Sequence, residues 1–436
     1  MKPSNATALS RRAALQKTSA LGMAAVTGSL WSTTARAQAS TGLETRAAKL
    51  GFIALTDAAP LFVADEKGYF KKHGMTDVEV LKQSSWGTTR DNLVLGSGKG
   101  GIDGAHILTP MPYLISTGAV TANNVPVPMN ILARLNLGGQ CISVGDEYKD
   151  LKVGLDTREF GKALLAKRLK TGKPVNAAMT FPGGTHDMWL RYWMAAGNVD
   201  PNKDITTIVV PPAQMVANMK VGSMDTFCVC EPWNRQLINQ KIGYTALTTS
   251  EIWMNHPEKA FAMRADWVQA NPNAAKALLK AVMEAQMWCE DPANRAEVAE
   301  ICSRRRWISA PVADVIDRVK GDFDYGTGRV EANSKFQMRF WKDHASYPFQ
   351  SHDLWFLTEN IRWGYLPPNL DTKALIAKVN REDLWRAAAK ELGVAAQDIP
   401  TSTSRGVEKF FDGKVFDPAN PKKYLDSLSI KYIKAA

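Results

Sequence analysis

The feature that most limits the fold is an alternation of short strand-like runs with helical stretches that runs through the chain twice. After Ala48, Lys49–Leu55 and Asp77–Gln83 read as strands, with helices at Ala58–Lys72 and Thr88–Leu95. Ile102–His106, Met129–Leu135 and Cys141–Val144 add further strands. The cycle restarts with a strand at Lys152–Leu155, a helix at Arg158–Lys170, a strand at Ala177–Thr180 and a helix at His186–Ala196, and it continues to about Thr248. Lys259–Arg264 reads as a strand returning to the first half. Strands spaced by helices of this length predict βαβ units on parallel or mostly parallel sheets. Beyond them the pattern turns helical, at Asn273–Cys289, Pro292–Ser303, Pro311–Val319, Thr372–Val379 and Asp383–Leu392. The expectation is an α/β protein of two hinged lobes. Lobe 1 is residues 40–145 plus 249–436, with a helical C-terminal part, and lobe 2 is the inserted residues 146–248.

A chain of 436 residues, 45% of them hydrophobic, has ample apolar area for two such bodies. No run of about 18 or more charge-free apolar residues occurs, which excludes a multi-span membrane protein. The formal charge of +11 invites a nucleic-acid reading until its location is examined. Lys2, Arg11, Arg12, Lys17 and Arg36 fall in residues 1–39, a stretch without Asp or Glu, and without it the balance is +6. A basic start, a mild apolar run from Ser19 to Trp31 and a small-residue exit are the anatomy of an export signal, cleaved near residues 37–39. Ser10-Arg11-Arg12-Ala13-Ala14-Leu15 resembles a twin-arginine leader, with Ala14 where an aromatic is usual. No Cys follows the exit, so a lipid anchor at that point has no attachment atom. The charge thus predicts export to the periplasm and no nucleic-acid partner.

Five scattered cysteines, Cys141, Cys228, Cys230, Cys289 and Cys302, make neither a disulfide framework nor a metal-ligand set, and are read as small buried residues. Gly96-Ser97-Gly98-Lys99-Gly100-Gly101 lacks the spacing of a phosphate-binding loop. Arg304-Arg305-Arg306-Trp307 is a short basic cluster on a solvated face. No motif of metal or nucleophilic catalysis is present, and neither a metal nor a cofactor is expected.

The informative segment is Thr180-Phe181-Pro182-Gly183-Gly184-Thr185-His186-Asp187-Met188-Trp189. A strand runs into two glycines and a helix then starts at a Thr-His pair, an arrangement suited to an anion. His186 is the candidate ligand, with Gly184 and Thr185 in support. Three further residues face the same cleft in a two-lobe body. Trp86 lies at the carboxyl edge after the second strand, where open α/β sheets place ligands. Gln140, in Gly138-Gly139-Gln140, sits near the first crossover between lobes, and Lys259, in Pro257-Glu258-Lys259, near the second.

These residues sit in strings that resemble the nitrate/bicarbonate-binding proteins of bacterial ABC importers. The matching strings include Thr56-Asp57-Ala58-Ala59-Pro60-Leu61, Lys67-Gly68-Tyr69-Phe70, Ser85-Trp86, Asp103-Gly104-Ala105-His106, Phe181–Trp189, Glu231-Pro232-Trp233-Asn234, Met263-Arg264-Ala265-Asp266-Trp267 and Thr401–Glu408. The resemblance covers essentially the whole mature chain. It implies the type II periplasmic-binding-protein fold, a C-clamp with one small oxyanion in its cleft. Nitrate-binding members use a Trp, a Gln, a His after the double glycine and a Lys in a Pro-Glu-Lys string, which implies Trp86, Gln140, His186 and Lys259 here. Bicarbonate-binding members carry a carboxylate at the Lys position and use calcium. Cys230 departs from the family pattern, where Gly is usual before Glu-Pro-Trp.

Nitrate offers only acceptors, so a good site presents only donors, whereas bicarbonate must also donate one hydrogen bond. The expected protein is a monomeric periplasmic receptor that takes nitrate, and nitrite, to the permease and ATPase subunits of an ABC importer, and is not an enzyme. The alternatives are a cytoplasmic nitrate sensor acting on a regulatory partner, a bicarbonate-importer component, and a thiamine-precursor enzyme of similar bilobal fold.

Overall fold

The computed structural model describes residues 42–435; the expected leader at residues 1–39 lies outside them. Ten strands build two five-stranded sheets: β1 (Ala47–Phe52), β2 (Asp77–Lys82), β3 (Gly104–Leu108), β4 (Met129–Arg134), β5 (Gln140–Gly145), β6 (Asn176–Met179), β7 (Thr206–Val209), β8 (Thr226–Cys230), β9 (Gly243–Thr248) and β10 (Lys259–Arg264). The orders are β2-β1-β3-β10-β4 and β7-β6-β8-β5-β9, so the two sheets share one plan. In each, three strands pair in parallel through helical crossovers, as the alternation predicts.

The remaining pairings are antiparallel, which corrects the expectation of mostly parallel sheets. β10 pairs antiparallel with β3 and β4, and β5 pairs antiparallel with β8 and β9. These two strands carry the chain between the sheets, and a strand arriving from the other lobe has no helical crossover to set it parallel. The first crossing lies between Arg134 and Gln140, not at residue 145, because Gln140–Gly145 is hydrogen-bonded wholly within the second sheet. The strand expected at Lys152–Leu155 is absent. A short 3₁₀ segment, Asp146–Leu151, ends there on Lys152 at φ 44°.

Strands β3, β4, β5, β8 and β9 are buried along their whole length, as layers on both faces require. The outer strands β2 and β7 are mostly open to solvent and carry charged residues or threonines. The other outer edges are covered. The Arg381 amide donates to Ile131 O of β4, and the Thr245 amide of β9 donates to Tyr325 O.

The helix at Ala59–Glu66 stops before Gly68, whose φ of 72° favours glycine, so the expected Ala58–Lys72 helix is broken in two. The Arg304 and Arg306 guanidinia pair with Glu66 and Asp65 of that helix. All five cysteines are free and buried. Among the described residues no helix is long and apolar enough to cross a membrane.

The C-terminal part does not belong to the first lobe alone. Trp385, Ala388 and Ile376 join the core under the first sheet, but Trp355, Phe356, Phe410, Phe416 and Tyr424 join the core under the second. The reason is aromatic packing. Trp355, on the helix Gln350–Arg362, stacks on Trp189 at 5.2 Å between ring centres, and Tyr192 lies 5.1 Å from Phe410. This clamps the helix Thr185–Ala196 from behind and fixes its first turn.

Candidate functional site

Each expected side chain is placed by a local feature of its own segment. Ser85 caps the helix Trp86–Leu95 by accepting from the Thr88 amide at 3.1 Å, which sets Trp86 in the first turn after β2. Gly138 and Gly139, at φ 63° and 89°, bring the chain into β5 so that Gln140 is its first residue. Gly183, at φ 74°, turns the chain from β6 into the helix Thr185–Ala196, and a Cβ there would meet Asn360 Oδ1 at 2.6 Å. Lys259 is the first residue of β10, and its amide is anchored on Asn136 Oδ1 at 3.2 Å.

The structure brings Trp86, Gln140, His186 and Lys259 together, all fully buried, between the two sheets. Lys259 Nζ lies 3.4 Å from His186 Nε2 and 6.0 Å from the centre of the Trp86 ring. His186 Nε2 donates to Gln140 Oε1 at 2.8 Å, leaving the Gln140 amide nitrogen to donate to Asp57 Oδ2 at 3.1 Å. His186 Nδ1 then accepts from the Thr180 hydroxyl at 2.5 Å. The Trp86 indole Nε1 is buried without a hydrogen-bond partner, a costly state for a donor unless something completes it.

Two carboxylates outside the expected donor set complete the cluster. Asp57 Oδ2 accepts from Lys259 Nζ at 2.7 Å, and Oδ1 from His106 Nε2 at 2.7 Å. Glu258 Oε1 accepts from Lys259 Nζ at 2.8 Å and from the Thr185 hydroxyl, and Oε2 from Trp189 Nε1 at 2.8 Å. Each carboxylate therefore receives three donors. The signal for them was present in the sequence, since Glu258 precedes Lys259 directly and Asp57 lies in the string Thr56–Leu61.

The electrostatics follow from burial and these contacts. Burial would raise the Asp57 pKa, but the Lys259 ammonium and then His106 outweigh it and hold the group far below the carboxylate range. Burial would lower the Lys259 pKa, but Asp57 and Glu258 keep it above the ordinary lysine value. Glu258 is pushed up by burial against the pull of Lys259. Burial, with the Lys259 charge added, holds His186 well below the ordinary histidine value, and burial lowers His106 although Asp57 opposes it. Lys259 is thus an ammonium, Asp57 a carboxylate and the imidazoles neutral, while Glu258 ion-pairs with Lys259 at 2.8 Å against the upward push of burial.

The two supporting residues act differently from expectation. The Gly184 amide donates to Phe181 O at 3.0 Å inside the turn, and the Gly183 amide donates to Asp187 Oδ2 at 2.9 Å, so neither points at a ligand. A turn tight enough to start the helix directly after β6 uses its own amides. The Thr185 hydroxyl is committed to Glu258, so it braces the carboxylate beside Lys259. Among the described residues, no group of three or more His, Cys, Asp or Glu is arranged to hold a metal ion.

Comparison with known proteins gives the same architecture and relationship. Over 393 residues the chain is 63% identical to the nitrate/nitrite binding protein NrtA of Synechocystis sp., covering 90% of this chain and 87% of that protein. It is 43% identical over 403 residues to the bicarbonate-binding protein CmpA of Synechococcus elongatus, covering 91% and 89%. The crystal structure of the periplasmic nitrate-binding protein NrtA from Synechocystis superposes with a TM-score of 0.87 at 62% identity, covering 89% of this chain and 100% of that one. The model of the NMT1-like family matches residues 41–303, and with relatives this similar along nearly its whole length the chain belongs to that family.

Proposed function

We propose that this chain is the periplasmic receptor of an ABC importer, capturing nitrate, and nitrite as well, at the Lys259 cluster and delivering it to the membrane permease. The observation that carries the reading is the convergence of Lys259 Nζ, the His186 and Gln140 N–H groups and the unpartnered Trp86 N–H in one fully buried spot. An anion with three acceptor oxygens and no proton to give matches that set. Kinship to proteins named for nitrate and nitrite at higher identity than to those named for bicarbonate points the same way.

Because the cluster is sealed, an anion reaches it only with the lobes apart. Opening breaks the Thr56 amide to Glu231 O bond at 2.9 Å, the Trp233 Nε1 to Ala54 O bond at 3.2 Å and the Thr185 to Glu258 bond. Reforming them around the ligand excludes water and strengthens the charge contacts. Four heavy atoms at roughly −1.5 kcal/mol each give about −6 kcal/mol, a dissociation constant of tens of micromolar, before any gain from closure.

Isothermal calorimetry of the mature protein with nitrate, nitrite, bicarbonate with and without calcium, and sulfate tests the reading. Nitrate and nitrite are expected to bind at tens of micromolar or tighter without metal. Silence with nitrate, or binding that requires calcium and bicarbonate, refutes it. Lys259→Glu, which places a like charge against the anion, is expected to abolish nitrate binding.

A further inference from the structure

The charges around Lys259 do not balance. Asp57 and Glu258 both ion-pair with Lys259, two acids sharing one positive charge, and all three are fully buried. The imidazoles nearest them, His106, His186 and His256, are also fully buried. A monoanion added to this set leaves two uncompensated negative charges in a region screened from water, which is strongly unfavourable. We infer, resting on the anion-receptor reading above, that the cluster takes up one proton together with each monoanion, and that the proton resides on His186.

The hydrogen bonds select that ring. His106 Nδ1 faces the Ile53 amide at 3.5 Å, and a proton on that nitrogen would set two donors against each other. The donors on Asp57 come from His106, Gln140 and Lys259, so a proton there would face N–H groups. Glu258 is the rival acid, because the Thr185 hydroxyl could turn to accept its proton, and a proton on Glu258 would leave every imidazole neutral. His186 has a different pair of neighbours. Its Nε2–H already donates to Gln140 Oε1, and its Nδ1 meets a hydroxyl, Thr180 Oγ1, which can rotate from donor to acceptor without moving a heavy atom. A proton drawn from the buffer forms one new N–H bond at Nδ1, and Thr180 accepts it.

The ring is faced by Lys259 and Glu258, with Glu258 Oε1 3.4 Å from Nε2, by Asp57 after β1, by His106 of β3 and by His256 ahead of β10. Without the anion, burial and Lys259 keep the ring neutral. A bound anion opposes the Lys259 charge and reverses that balance. The rival ring is His256, whose Nδ1 lies 3.1 Å from Pro257 O and whose Nε2 lies 2.8 Å from the Thr249 hydroxyl. It sits behind Trp189, 4.2 Å between ring centres, and outside the donor set.

The test is nitrate calorimetry on the unaltered protein at pH 7.5 in phosphate, Hepes and Tris, whose ionisation heats differ. The slope of observed heat against buffer ionisation heat is expected to report uptake of close to one proton per nitrate. Affinity should weaken by up to about tenfold per pH unit on the alkaline side. A clear binding heat with zero slope overturns the inference and leaves the receptor reading intact. No binding heat at all overturns the receptor reading instead. For location, ring-nitrogen NMR of ¹⁵N-histidine protein, which has six histidines to resolve, should show one ring becoming imidazolium on nitrate saturation. Survival of that signal both in His256→Gln (or His256→Asn if the first does not fold) and in His106→Gln places it with His186, and no ring becoming imidazolium assigns the proton to an acid and refutes the placement. Its loss in either variant assigns the proton to the ring replaced and refutes the placement.

Discussion

Replacing Lys259 with Met keeps most of the stem and removes the ammonium, which makes it the most direct probe of the buried cluster. The ammonium lies 2.7 Å from Asp57 Oδ2 and 2.8 Å from Glu258 Oε1, with all three side chains fully buried. Removing one partner of such a pair costs about 3–5 kcal/mol, because the remaining charge stays buried without compensation. Here two carboxylates are left, although each keeps two donors: His106 and Gln140 for Asp57, and Thr185 and Trp189 for Glu258. Those donors hold the expected loss within that range instead of doubling it. Urea unfolding without nitrate at pH 7.5, followed by tryptophan fluorescence, measures it. The loss should shrink as pH falls toward 5, because Glu258 is already raised by burial and loses the one charge pulling it down. Adding Asp57→Asn to Lys259→Met should recover part of the stability. A Lys259→Met protein within about 0.5 kcal/mol of the parent at pH 7.5 refutes the reasoning, since that is the behaviour of a solvated surface lysine.

Trp86→Phe removes a buried donor that has no protein partner, so urea stability of the free protein should change little while nitrate affinity falls about 10- to 100-fold, the worth of a hydrogen bond to a charged group; equal affinity in calorimetry removes the indole from the site. Gly183→Ala forces a left-handed φ on a residue with a Cβ and drives that Cβ against Asn360 Oδ1, and should cost roughly 1–3 kcal/mol in urea unfolding. His256 and His352 are pushed down by burial to about 3. Groups lowered in this way stabilise fully above the unfolded value near 6.5 and lose that contribution as pH falls toward 3, by about 1.4 kcal/mol per pH unit each. His352, faced by Arg405, Glu408 and Arg134, offers the test. His352→Leu should unfold with a shallower pH dependence than the parent between pH 6.5 and 4, and parallel curves would count against the argument.

The strand–helix alternation was legible because the strands are short, apolar and bounded, and the strand Lys259–Arg264 was read to the residue. What escaped depends on contacts distant in sequence. The helix Gln350–Arg362 has no helical stripe to read, since His352, Asp353, Glu359, Asn360 and Arg362 are buried along with its aromatics. Asp353 and the Asn360 amide nitrogen find partners as remote as Arg134 and Gly183. The first crossing was placed late because Cys141–Val144 is equally apolar whichever sheet receives it. The strings imply that Trp86, Gln140, His186 and Lys259 meet in one place, and the four side chains do lie together, whereas nothing in the strings marks Asp57 and Glu258 as buried beside them. Whether a carboxylate near a lysine is solvated or sealed beneath another layer is decided by lobes that meet only in three dimensions.

The shared sheet plan also sets an order of assembly during synthesis. Every strand of the second sheet lies in one continuous stretch, from Gln140 to Thr248. The first sheet begins earlier in the chain, but β10 stands between β3 and β4, so β4 has no neighbour until residue 264 has been made. The half translated second is therefore the half that can close first, while the half translated first waits with an open seam. A chain truncated just after Thr248 would contain one complete sheet and one split sheet, with the edges of β3 and β4, both wholly buried in the full chain, ready to pair with whatever strand they meet.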